Sequence, residues 1–397
     1  MGLKKTKVAL IGAGGISYTY LQNMVDVFAI LEVEGCADAV PERRARAASL
    51  FGIREMTNEE IMGDPEIEIV VNTTFPSMHY EITEQALNAG KHVYTEKMMA
   101  TDFESAKKLH ELARQKGLRI ACAPDTFLSG PYQTARKLID DGYIGEPICA
   151  VATVVRGYRN DQAQPIPRPG GLWAFGSALP MDMGGYYSHA LVHLLGPIAR
   201  ISGFAATRSQ EFTNPKNEYY GQTISADAPT SEVTALEFCS GAIGTLIAVG
   251  DSHDAKSSIE VHGTEGSLLC PDPNTFSGPL YLHRRNCKAP MEVPLTHDFN
   301  QYAKGDAPEW DERRKSIDQW KESRRGIGVA DLAWAIANGR PHRCSAELGL
   351  HAMEIVYGTG VSAEQNAVYR MTTRPAQPQA IPPFFIGGAA EKSLDTN

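Results

Sequence analysis

One short stretch constrains this chain more than any other: a run of apolar residues that breaks directly into a glycine cluster. Residues 8–11 (Val-Ala-Leu-Ile) have the length and apolar content of a short buried strand, and Gly12, Ala13, Gly14, Gly15, Ile16 and Ser17 follow at once. A strand that enters a glycine-rich turn and leaves it as a helix is how a dinucleotide-binding βαβ unit begins. Gly12 permits the tight turn, Gly14 lets a pyrophosphate approach the backbone, and the helix N-terminus presents free N–H groups to the phosphates. Ser17 stands where a third glycine is usual, and its small size suits close packing of helix on strand. Asp38, at the end of a second strand, supplies a carboxylate for ribose hydroxyls and would repel a 2′-phosphate. Arg43 and Arg44 could meet that phosphate but lie in the next helix, so the segment reads as a site for NAD in preference to NADP.

The same alternation continues to residue 123, with strands expected at 33–37, 67–72, 92–94 and 119–123 and helices at 41–51, 79–89 and 103–116. Pro41 suits a first helical position, and Gly52, Gly90 and Gly117 fall where helices stop. Such β-α repeats feed a parallel sheet. Beyond residue 125 a helix at 132–141 is followed by strand-like runs at 148–155, 198–206, 232–239, 243–249, 258–261 and 280–283, with turn residues between neighbouring runs at Ser240-Gly241 and Thr264-Glu265-Gly266. Helices are expected at 179–194, 328–337 and 346–363. With 397 residues, more than one core usually supports, the expected fold is an α/β Rossmann dinucleotide-binding domain over 1–125, then an α+β domain over 126–370 built on an open, mainly antiparallel β-sheet with helices. A Pro-rich C-terminal tail over 371–397 is expected to hug the surface or hang loose.

Composition narrows the partners. A net charge of -9 argues against nucleic acid, and the apolar runs fall short of the roughly 18 residues that a membrane span needs. Residues 1–7 lead straight into a strand with no secretory apolar region. The seven cysteines are odd in number, scattered and mostly set in apolar runs, which fits reduced thiols in the cytoplasm.

Further segments carry a resemblance: TTFPSMH at 73–79, AGKHVYTEK at 89–97, GYIGEP at 142–147, DMGGY at 182–186 and GTEG at 263–266. In this order, after the glycine turn and Asp38, the chain resembles the Gfo/Idh/MocA oxidoreductases, which include glucose-fructose oxidoreductase and inositol dehydrogenases. The resemblance implies a nicotinamide seated at the junction of the two domains, Glu96 on the cofactor and Lys97 as the catalytic residue on the substrate, with Thr73, Thr74, Phe75 and His79 on the cofactor side. Met98 takes the place of the family's proline after Lys97, and Thr74-Phe75-Pro76 replaces its Thr-Pro-Asn. In the second motif Asp182 and Gly184 match, while Tyr186 stands for a histidine and His189 for an aspartate. Some members resembling dihydrodiol dehydrogenase use tyrosine for proton transfer, so the replacement is compatible with activity.

Oxidising an alcohol needs a base for the hydroxyl proton while hydride leaves the same carbon. Tyr186 is the expected acid/base, with Lys97 as its electrostatic partner and Asp182 orienting the lysine or the substrate hydroxyls; Lys97 as the proton carrier stays open. Asp125, Thr126 and His189 are expected to line the substrate pocket. The Pro/Gly-rich connection at 156–173 is expected to cover that pocket and place Trp173 against the substrate. His189 and His193 share a helical face, but no glutamate lies between them and no third ligand is evident, so no metal is expected. The function implied is an NAD(P)-dependent dehydrogenase or reductase of a secondary alcohol in a cyclic polyol, sugar or sugar derivative, as a homodimer or homotetramer joined through the open sheet. Two alternatives stay open: a glycoside-cleaving enzyme that keeps NAD bound and works by transient oxidation and elimination, and a non-catalytic regulator that senses the nucleotide.

Overall fold

Strands β1 (Thr6–Ile11), β2 (Leu31–Ala37), β3 (Arg54–Glu55), β4 (Ile69–Asn72), β5 (His92–Thr95) and β6 (Ile120–Cys122) form one parallel sheet in the order β3-β2-β1-β4-β5-β6. The computed structural model describes residues 4–157, 178–226, 228–297, 323–383 and 394. β1 and β4 are buried nearly throughout, as strands covered on both faces must be, which explains their unbroken apolar runs. The crossovers are α1 (Ser17–Asp26), α2 (Pro41–Phe51), α3 (Asn58–Gly63), α4 (Pro76–Asn88) and α5 (Phe103–Lys116). Local chemistry sets their limits: α2 starts on Pro41 and ends at Gly52 with φ +68°, and the Asp102 side chain accepts the Ser105 N–H at 2.8 Å to cap α5. β3 and α3 escape the sequence reading, because β3 is a two-residue exposed strand and α3 is a single short helix, held by a capping box between Thr57 and Glu60. The sheet order reverses between β1 and β4, and ligands bind in the crevice at the carboxyl ends of strands flanking such a reversal.

The second sheet has nine strands among the described residues: β7 (Pro147–Gly157), β8 (Ile198–Ala206), β11 (Ser231–Phe238), β12 (Ile243–Val249), β13 (Asp251–Gly263), β14 (Gly266–Cys270), β15 (Tyr281–Arg284), β16 (Met291–Glu292) and β17 (Tyr369–Arg370). Their order is β16-β15-β14-β13-β7-β12-β11-β8-β17, antiparallel except where β12 runs parallel to β7. A separate hairpin pairs β9 (Gln210–Glu211) with β10 (Thr223–Ile224). β11 and β12 alternate buried and more exposed residues, so the sheet has one covered face. The helices of this half are α6 (Gly130–Asp140), α7 (Leu179–Leu195), α8 (Ile327–Ala337) and α9 (Ala346–Gln365), of which α7 and α9 cover the inner face. The outer face leaves Phe204, Ile243 and Val233 exposed.

The two halves interlock at the C-terminal end. The Cys122 N–H donates to Cys344 O at 2.8 Å, extending the nucleotide sheet past β6, and α9 packs on both α5 and β8. The tail is tied down through residue 383: the Ile381 N–H donates to Gln133 Oε1 at 2.8 Å, and Arg343 Nε donates to Gln379 O at 2.9 Å. No helix among the described residues is long and apolar enough to cross a membrane.

Candidate active site

A cleft of about 590 Å³ runs from the end of β2 across the carboxyl ends of β1, β4 and β5 to the start of α7. Its nucleotide half is shaped by what the glycines leave out. Gly12 has φ +102°, and a Cβ there would stand 2.6 Å from Thr74 N and 2.7 Å from Thr73 C and O. Thr73 locks this close approach by donating its hydroxyl to Gly12 O at 2.8 Å. Gly14 and Gly15 line the cleft with nothing within 4 Å of where a side chain would begin, so open space meets bare backbone where a pyrophosphate would lie. Ser17 is fully buried and donates its hydroxyl to Gly14 O at 2.6 Å, so it fastens the turn from behind while Ala13 packs into the core and Ile16 lines the cleft. At the far end Asp38 lies beside Arg43 and Asn58, and Asp38 Oδ1 accepts the Val40 N–H at 2.7 Å. Phe75, 62% exposed, forms an apolar rim next to Thr74. These residues fit a dinucleotide: a narrow backbone cradle, apolar walls and a carboxylate at the ribose end.

At the other end β5 delivers Glu96 and Lys97. The Lys97 ammonium donates to the Asp182 carboxylate and, at 2.9 Å, to Asp182 O. Burial by itself pulls the Lys97 pKa down, but the Asp182 carboxylate, with Tyr186 and Glu96, holds it above the usual lysine range, so the group stays charged. Asp182 and Tyr186 are four residues apart on α7 and so share one face, with Asp182 in the first helical turn where the helix favours a negative charge. Lys97 Nζ and Arg325 Cζ each lie 5.4 Å from the centre of the Tyr186 ring. The Tyr186 hydroxyl makes no hydrogen bond with any described residue, and the residue lines the cleft. Glu96 is held on both oxygens, by the Tyr20 hydroxyl at 2.6 Å and the Lys97 N–H at 3.1 Å. The Lys97–Met98 peptide is cis, and Met98 is buried in the core.

Residues 6–123 match the model described as "Oxidoreductase family, NAD-binding Rossmann fold", and residues 132–269 match the GFO/IDH/MocA C-terminal domain. The chain belongs to the Gfo/Idh/MocA oxidoreductases. The scyllo-inositol 2-dehydrogenase (NAD(+)) of Bacillus subtilis is 28% identical over 275 residues, 67% of this chain and 73% of the relative. An uncharacterized oxidoreductase of Schizosaccharomyces pombe is 30% identical over 200 residues, 48% of this chain and 52% of the relative; a second from that organism is 33% identical over 181 residues, 43% and 48%. The chain thus spans about half the length of these two relatives. A solved levoglucosan dehydrogenase in complex with NADH shares the fold, with a TM-score of 0.74 at 21% identity over 93% of this chain and 100% of that one.

In this Gfo/Idh/MocA chain several expected site residues lie behind the cleft instead of in it. Asp125 and Thr126 are fully buried and do not line it. Asp125 Oδ2 accepts the N–H groups of Gly326 and Gly328 at 2.8 and 3.1 Å, so the carboxylate shapes the segment leading into α8. His189 faces a small void of about 20 Å³ beneath Lys97; its Nδ1 donates to Gly185 O at 2.8 Å, and burial lowers its pKa to about 4, leaving it neutral. His193 lies deeper, with Nε2 3.0 Å from the Gln133 amide nitrogen. His79 is buried at the cleft wall with its ring nitrogens against Met98 O and Thr74 O, bracing the loop after β4 against the segment after β5. Trp173 and the connection over 158–177 lie outside the described residues. The sequence reading misses Tyr20, Asn274 and Arg325, which reach the site from remote segments. The one local signal was an arginine followed by Gly326 immediately before an apolar helix.

Proposed function

We propose that the chain is an NAD-dependent dehydrogenase or reductase that interconverts a secondary alcohol and a ketone on a sugar or cyclic polyol. The observation that carries this reading is the placement of Lys97, Asp182 and Tyr186 at one end of a cleft whose other end is the glycine turn and Asp38. A bound nicotinamide supplies the hydride acceptor or donor. The protein handles the proton: in oxidation the substrate hydroxyl gives its proton to the Tyr186 oxygen, and in reduction the Tyr186 hydroxyl returns one to the developing alkoxide. Lys97, kept charged by Asp182, stabilises negative charge on the reacting oxygen and on Tyr186. The name of the Bacillus subtilis relative fits a polyol substrate. Asp38 favours NAD, since its carboxylate would oppose a 2′-phosphate.

The exposed apolar residues of the outer sheet face, Phe204, Ile243 and Val233, support self-association into a dimer or tetramer. All seven cysteines are free thiols, in keeping with a reducing compartment such as the cytoplasm. The test is to incubate the protein with NAD or NADP and a panel of inositols, aldoses, sugar acids and glycosides, following reduced nicotinamide and products, with Lys97→Ala as control. Net NAD reduction that disappears in the control is expected. Product without net reduction would replace this reading with the elimination mechanism, and NAD binding without turnover of any panel member would replace it with a sensing role.

A further inference from the structure

The catalytic end of the cleft carries three cations, Lys97 from the nucleotide domain and Arg156 and Arg325 from the second, and they are not equivalent. Lys97 is paired with Asp182. Arg156 is paired with Asp272, Nη2 to Oδ2 at 2.8 Å, and the other oxygen of that carboxylate accepts the Tyr187 hydroxyl at 3.2 Å. Arg325 is 2% exposed, and no described carboxylate lies within ion-pair distance of it. Its Nη2 donates to the neutral Asn274 side-chain carbonyl at 2.7 Å and more weakly to Asn274 O at 3.4 Å, while Nε and Nη1 are buried with no acceptor. Glu96 and Asp125 lie close enough to favour its charge, but their bonded oxygens face other donors: Tyr20 and Lys97 N–H for Glu96, Gly326 and Gly328 N–H for Asp125.

A buried donor left without an acceptor is costly, and buried polar groups are ordinarily satisfied. Here two such donors belong to one charged group that lines the cleft beside the Tyr186 ring. A substrate hydroxyl could accept one N–H, but it brings no charge to a guanidinium whose direct partners are neutral. A carboxylate supplies an acceptor oxygen for one of these donors together with the negative charge that the neutral Asn274 side chain does not bring. We propose that Arg325 is the binding residue for a carboxylate on the substrate, so that the substrates are sugar or polyol acids, of the uronic or aldonic class, in preference to neutral sugars. The inference rests on the dehydrogenase reading and names the substrate class of the same cleft.

The experiment is calorimetric titration of the full chain with matched pairs, D-glucuronate against D-glucose and D-gluconate against D-glucitol, with and without saturating NAD. At least one acid is expected to bind about tenfold or more tightly than its neutral partner, and Arg325→Gln is expected to bring that ratio close to one. Arg325→Lys, which keeps the charge and loses the planar fork, is expected to fall between; it carries the test alone where Arg325→Gln does not fold. Equal or tighter binding of the neutral members, no binding of either acid, or an acid preference that survives in the folded variants overturns the proposal. A separate titration with NAD alone keeps the two readings apart. A chain that fails to bind NAD yet shows an Arg325-dependent acid preference loses the dehydrogenase reading and keeps the carboxylate site. Turnover of neutral sugars with no acid preference does the reverse.

Discussion

In the nucleotide domain almost every buried polar side chain has its partner close by: Thr73 bonds Gly12 O, Ser17 bonds Gly14 O, and Asn72 bonds His79 O and Thr83. Among the described residues up to 124, Thr19 Oγ1 is the exception. After residue 124 the pattern changes, and Asp125 Oδ1, His189 Nε2, His193 Nδ1, Glu232 Oε1 and two Arg325 nitrogens are buried without a hydrogen-bond partner. Buried polar groups are ordinarily satisfied, and those that are not mark sites where something other than stability sets the residue. The nucleotide wall is a frame complete in itself, which offers backbone and empty space. On the opposite wall Arg325 brings unused hydrogen-bonding capacity into the cleft, while the other unpartnered groups lie behind it.

The sharpest test of this division is Lys97→Ala, which is expected to lower kcat by about 10² to 10⁴ while NAD affinity, measured by titration, changes only a few-fold, because among the described residues Nζ bonds only Asp182. A parallel loss of NAD binding would mean that the two walls do not act separately. Next in size is Glu232, on the buried face of β11. Burial pushes its carboxyl up to about 8, with no partner to offset it. A raised folded pKa contributes stability that is fully present below the unfolded value and is lost as pH rises through about 8. Glu232→Gln should therefore match the parent near pH 4 and gain on the order of 3–5 kcal/mol over it by pH 8 in denaturant unfolding. A flat difference across that range would place this domain with the self-satisfied one.

Two glycines sharpen the picture from the nucleotide side. Gly12→Ala combines φ +102° with contacts of 2.6–2.7 Å to backbone and should cost about 2–4 kcal/mol in thermal or denaturant unfolding. Gly14→Ala meets open space and should leave stability within about 0.5 kcal/mol while weakening NAD binding. Equal destabilisation by both would show that the cradle is structural throughout. Asp38→Ala is expected to bring a drop of about tenfold in the preference for NAD over NADP, read as the ratio of kcat/KM values and worth about 1.4 kcal/mol. An unchanged ratio would move the discrimination to Arg43.

Much of this arrangement was legible in the residues. The strand, glycine turn and helix at 6–26, the Pro41 start and Gly52 stop of α2, and the four-residue spacing of Asp182 and Tyr186 all follow from rules that act within a few positions. β3 and α3 were hidden because neither is long enough to show a period. Asp125 has the right residue type at the right strand end, yet the backbone of Gly326 and Gly328 folds onto its carboxylate and seals it from the cleft.

By itself, then, the sequence determined the nucleotide-binding frame, the family motifs and the order in which Lys97, Asp182 and Tyr186 occur, because turn glycines, helix caps and apolar periods are local physics. Only the tertiary structure decided that Tyr20 holds Glu96, that Lys97 is pinned to Asp182 from 85 positions away, and that Arg325 reaches the same ring as Lys97 with two donors unused. Those partners lie far apart along the chain and meet through strand order and domain packing, which no short window of residues encodes.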